Sequence, residues 1–128
     1  MKRVLAASLV LFGLAAPAHA TEWLVCGSAD GKASFSVLLG SPGIGTATDF
    51  KVNVGDKDWS TTPGEGTPIV KSQAFETDAM LMADVSTEDL STLIAQLRIF
   101  KGSEGDDYVY GGILRVPGHG AWAVSCEG

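Results

Sequence analysis

The chain is short of nearly everything that carries enzymatic chemistry. Its 128 residues include two cysteines and two histidines, and one of the histidines, His19, lies in a segment read below as removable. His119 is then the single imidazole left, which excludes any mechanism needing two within one chain. It stands between glycines in a turn and reads as a structural residue. No Gly-x-Ser-x-Gly elbow occurs, so a serine or cysteine hydrolase is not expected. Basic residues are also scarce, nine Lys and Arg against fifteen Asp and Glu. Such a balance repels nucleic acid and anionic lipid and suits a cationic or neutral partner. No apolar run reaches the roughly 20 residues of a spanning helix, so no membrane anchor is expected. Internal repeats are missing too.

What is present begins with an export pattern. Lys2 and Arg3 precede an apolar run over 4–14, and Ala18-His19-Ala20 fits small-x-small cleavage. The expected division is a signal peptide over 1–20 and a single β domain over 21–128, placed in the periplasm or secreted. Without Lys2 and Arg3, seven basic residues face fifteen acidic ones, a formal charge of −8. In an exported chain, two cysteines far apart read as a disulfide, Cys26 to Cys126. Closing a loop of about 100 residues is worth roughly 4.7 kcal/mol in the chain-entropy model.

Strand signals fill the rest. Segments 22–27 and 32–39 flank Ser28-Ala29-Asp30-Gly31, an Asp-Gly turn, and in the second Ala33, Phe35, Val37 and Leu39 alternate with Lys32, Ser34 and Ser36. Either Trp23 is covered by the outer side of this sheet, or it is exposed. Glycines at 40, 43 and 45 are spaced Gly-x-x-Gly-x-Gly and precede a strand, so they match no dinucleotide loop. Further strands are predicted over 46–54, 69–77, 79–85, 93–101, 108–116 and 120–126. Two prolines and two glycines make 60–68 a loop with the most freedom in the chain. Over 86–91, Ser86 as cap with Asp89 three residues on predicts a short helical turn. The expected fold is all-β, a small antiparallel β-barrel or sandwich of about eight strands with one short helix, closed by the terminal disulfide.

Candidate sites are few. Met80 and Met82 share a strand face at a spacing that copper(I) sites use, but two thioethers with only His119 beside them are too few, and core filling is expected. The carboxylate pairs Asp56/Asp58, Glu88/Asp89 and Asp106/Asp107 adjoin turns without calcium-loop spacing, and read as solvated acids. No metal and no cofactor is expected. Trp122 shares a face with Val124 and Cys126 and reads as core beside the disulfide. Trp59, Asp106, Asp107, Tyr108 and Tyr110 are the candidate partner-binding residues, with Trp59 read either as an exposed contact beside its loop or, the preferred reading, as the anchor of that loop on the barrel. Trp23-Leu24-Val25-Cys26 entering a first hairpin, with the terminal Cys126, resembles the C-type lysozyme inhibitor family of bacterial envelopes over about a third of the chain. That family's Ser-Gly-x-x-Tyr loop is not matched by Ser103-Glu104-Gly105. The functional expectation is an exported, non-enzymatic envelope module binding a protein or small molecule. One alternative is an acidic inhibitor of a basic envelope-attacking hydrolase such as lysozyme, and another is a carboxylate-dependent hydrolase.

Overall fold

The computed structural model describes residues 22–40 and 47–128. The expected signal over 1–20, and the glycine turn beyond Gly40, lie outside the described residues. Ten strands form one sheet: β1 Glu22–Ser28, β2 Ala33–Leu39, β3 Ala47–Val54, β4 Lys57–Ser60, β5 Thr67–Pro68, β6 Val70–Glu76, β7 Met80–Ser86, β8 Leu93–Glu104, β9 Asp107–Val116 and β10 Gly120–Glu127. Their lateral order is β5-β4-β3-β2-β1-β10-β9-β8-β7-β6, and the sheet curls into a nearly closed barrel.

Closure has a geometric signature. β5 and β6 are successive parts of one extended stretch interrupted at Ile69, the first part paired with β4 and the second with β7. The ring therefore has nine staves. A ring with an odd number of staves cannot alternate direction all the way round, so one neighbouring pair must be parallel. It is β4 with β5, and only two residue pairs make it. Ile69 donates its amide to the Ser60 carbonyl at 3.2 Å, and Lys71 on β6 reaches the Ala47 carbonyl on β3 at 3.3 Å.

Period-two patterning puts the core inside. Phe35 and Val37 on β2, Phe50 and Val52 on β3, Leu81 and Val85 on β7, Leu97 and Ile99 on β8, and Leu114 on β9 are buried. Phe35 and Phe50 meet edge to face at 6.0 Å. Cys26 and Cys126 stand directly opposite each other in the β1–β10 ladder and are bonded, which is the expected closure. The first turn follows its sequence signal. Asp30 accepts from the Ser28 hydroxyl at 2.7 Å and from the Lys32 amide at 3.0 Å, and Gly31 takes φ 71°.

Three expectations need correction. No helix forms over 86–91. Asp89 instead accepts from Thr87 Oγ1, Ser91 Oγ and the Ser91 amide, and Leu90 takes φ 61°, which no helix can continue through. Short polar side chains won the backbone here, and Leu90 is exposed rather than packed on a helical face. Residues 60–68 are not a plain loop: Ser60 ends β4, Thr67 and Pro68 are β5, and Lys51 pairs with Glu65 at 2.8 Å. Proline is tolerated there because β5 is a two-residue edge piece. Met80 and Met82 are half-buried on the outer face, since Leu81 between them points into the core.

Candidate functional site

The barrel has two dissimilar ends. At one, called here the tryptophan end, lie the turns after β1, β3, β7 and β9; at the other, the tyrosine end, lie the start of β1, the end of β2 and the β8–β9 turn. Trp59 belongs to the first. It is 9% exposed, and its ring meets His119 edge-on at 5.3 Å, so that the β9–β10 turn and β4 close that end between them. The reading of Trp59 as an exposed contact is thereby corrected, because its position opposite the inward Val52 turns the indole inward. A shallow recess of about 600 Å³ remains around Asp56, Asp58, Pro68 and His119. Trp122 is partly buried against the core, as its shared face with Val124 implied. Trp23 is half-exposed, with the Lys51 ammonium 5.0 Å from its ring centre.

Asp106, Asp107, Tyr108 and Tyr110 lie at the opposite end. They are brought together with one another and not with Trp59. The β8–β9 ladder outruns both neighbours: β7 pairs with β8 only as far as Phe100, and β10 with β9 only as far as Gly111. What continues is a two-stranded ribbon turned at Gly105, which takes φ 59°. Its inward positions are Lys101, Ser103, Tyr108 and Tyr110, because Leu97/Leu114 and Ile99/Gly112 fix the register below them. Gly112 has a specific role in that pairing. A Cβ there would stand 1.9 Å from the Arg98 carbonyl oxygen, so no other residue allows β8 and β9 to approach as closely.

The tyrosine rings stack at 5.3 Å with 13° between planes. Beneath them the Lys101 ammonium lies 5.4 Å from the Tyr110 ring centre and pairs with Glu76 Oε1 at 2.5 Å. Burial pushes the Tyr110 phenol above its ordinary value of 10, with the neighbouring Tyr108 acting in the same direction, so the ring stays neutral at physiological pH. Together with Glu22, Leu24, Leu39 and Cys126, the two tyrosines and Glu76 line a recess of about 640 Å³ at the barrel mouth. Its floor is apolar and its rim carries carboxylates. Glu22 has no ion-pair partner among the described residues.

The outer wall near this end is also unusual. Phe75, Phe100, Val109 and Ile113 are exposed there, with the half-buried Met80 and Met82 among them. Higher on the same wall the pattern turns polar, with Arg98 bidentate on Asp84 at 2.7 and 3.3 Å and Arg115 on Gln96 at 2.7 Å. Sequence reasoning found Tyr108 and Tyr110 but missed Glu22, Glu76 and Lys101. The signal that could have found the last two was a charge at an inward period-two position. Among the described residues, no three metal-ligating side chains converge. No protein-family model, no curated protein and no solved structure matches this chain.

Proposed function

We propose that this protein is an exported, non-enzymatic binding module of an oxidising compartment, periplasmic or secreted, and that its ligand is a small molecule held at the tyrosine end. One observation carries the reading: a recess of about 640 Å³ with an apolar floor, two stacked tyrosines and a few carboxylates, at the mouth of a disulfide-closed barrel. Concave, mostly apolar sites with sparse polar groups are what small ligands use, and mouths of β-barrels are a common place for them. The disulfide supports the oxidising compartment. The test is a fragment screen read by two-dimensional NMR. Hits should move Leu24, Leu39, Tyr108 and Tyr110. Hits confined to Trp59 and His119, or none anywhere, would reject the site.

A protein partner with a cationic surface is the second reading, favoured by one observation. The exposed Phe100 and Val109 lie on the ribbon whose turn carries Asp106 and Asp107, so apolar and acidic contacts adjoin. Both the inhibitor and the general binding-module expectations use that surface. Phe100→Ser should then cost the complex tenfold or more, roughly 1.4 kcal/mol, and Asp106→Asn with Asp107→Asn should slow association at low salt. A hydrolase has less to support it: Asp106 and Asp107 point from an exposed turn outside the recess.

A further inference from the structure

We infer that the ligand at the tyrosine end is an organic cation, an ammonium carried on an apolar or aromatic body. The inference rests on the reading of that recess as the binding site. Its first support is a cation held beside the recess, against two of its lining residues. The Lys101 ammonium sits over the Tyr110 ring and against Glu76, with only 10% of its side chain exposed. The chain thus has a worked example, within its own fold, of an ammonium taken out of water by a tyrosine face and a carboxylate.

The second support is that the same pair of groups is offered again, unused, one step nearer the opening. Tyr108 repeats Tyr110 two residues earlier on the same face of β9 and is 61% exposed. Glu22 faces the mouth from β1 opposite Leu39, whereas Glu127 borders the recess from the outward register it shares with Val25. The inner cation is supplied by the chain. Among the described residues, the outer position has the ring and the Glu22 carboxylate but no cation.

The third support is the floor. Leu24, Leu39 and Cys126 give an apolar surface beneath the tyrosines, which an alkyl or aryl body covers and a hydrated metal ion does not. Among simple charges, an anion is disfavoured twice over, by the free carboxylates and by the formal −8 of residues 21–128. A fully neutral ligand would leave the outer carboxylates without a counter-charge. An organic cation uses every part of the lining.

The test compares three probes with one body and different heads: phenethylammonium, 2-phenylethanol and phenylacetate. Titrations are followed by NMR at low salt on the disulfide-intact protein. Phenethylammonium should bind about tenfold tighter than the alcohol, as ring and carboxylate contacts to a cation predict, and phenylacetate should be weakest. In a Glu22→Gln, Glu127→Gln variant, whose changed residues are both exposed and whose melting temperature should stay at that of wild type, the preference should fall to about threefold or less. Equal binding of all three heads at the tyrosine end would overturn the cation inference and leave the site standing. Failure of all three probes to move any residue of the recess would overturn both. Tighter binding of phenylacetate would overturn the charge argument outright.

Discussion

The two ends of the barrel are made of similar materials and do different things. Each has aromatic side chains, carboxylates and a histidine or lysine near its axis. At the tryptophan end the aromatic turns inward: Trp59 is 9% exposed and stands against His119. At the tyrosine end the inward row closes in phenols and a lysine, and Tyr108 is left 61% exposed above an apolar floor. The difference lies in the aromatic side chain that the inward row carries near each end. The large, mostly apolar indole of Trp59 covers one end of the barrel. The phenol of Tyr108 turns its polar head to water and leaves the space below it for something else.

The comparison can be broken at several points, and the largest effect belongs to neither end. Cys26→Ser with Cys126→Ser releases a link between residues 100 apart and should cost up to roughly 4.7 kcal/mol in urea unfolding. A loss under about 1 kcal/mol would mean that the ring holds itself closed by its ladders alone. Next comes Trp59→Ala, expected to cost about 3 kcal/mol or more as a large buried side chain. Its counterpart Tyr108→Ala should stay within about 0.5 kcal/mol of wild type. If the order of those two were reversed, the assignment of plug and mouth would be wrong. Lys101→Met should cost about 2 kcal/mol, less than breaking a fully buried pair because Glu76 keeps 28% of its side chain exposed. The Tyr110 ring resonances should move with it.

The smallest effect is in pH. Asp30 and Asp89 both anchor turns at the tryptophan end, and both carboxyls are held below the ordinary range. For Asp30 the Ser28 hydroxyl is the chief cause; for Asp89 the Thr87 and Ser91 hydroxyls bring it to about 2. Groups depressed in the folded state stabilise above the unfolded value, about 3.9 for Asp, and lose that contribution as pH falls through the folded one. Amide protection relative to the intrinsic exchange rate should therefore fall at 87–92 between about pH 4 and 2, and at 29–32 as pH falls below about 4. Asp89→Asn should remove the response at 87–92 and leave that at 29–32.

Much of the barrel was legible because alternation is a local signal. Ala33, Phe35 and Val37 announce an inward face whatever they later meet, and the Asp30-Gly31 turn is fixed by atoms two residues apart. The failures share a cause as well. Ser86 and Asp89 have the spacing of a helix start, but Asp89 takes three local donors, and that competition is invisible to spacing. β4 and β5 were missed because four and two residues are too few to show a period. For the site, Tyr108 and Tyr110 could be placed on one face from their spacing. That Lys101 would lie across from Tyr110 and reach Glu76 depends on the register of β8, β9 and β6, which no local pattern states. Which of the two readings of Trp59 holds was not legible for the same reason, since its indole meets His119, sixty residues further along.

The lateral order of the strands has a consequence for connectivity. Followed around the sheet from β6 through β10 and then from β1 to β5, every neighbouring pair but one is joined by a chain connection between consecutive strands; in the short parallel seam of β4 with β5 that connection, 61–66, runs back alongside β4. The exception is β10 with β1, where no peptide runs and Cys26–Cys126 stands instead. The disulfide therefore takes the place of a hairpin turn. In the language of circular permutation, this is an up-and-down meander cut open beside Ile69 in space, threaded from its middle, and closed by sulfur. Its two runs, β1 to β4 and β6 to β10, can each pair by local hairpins; the step that depends on the longest sequence separation, and so on the slowest loop closure, is the single ladder that the sulfur atoms hold.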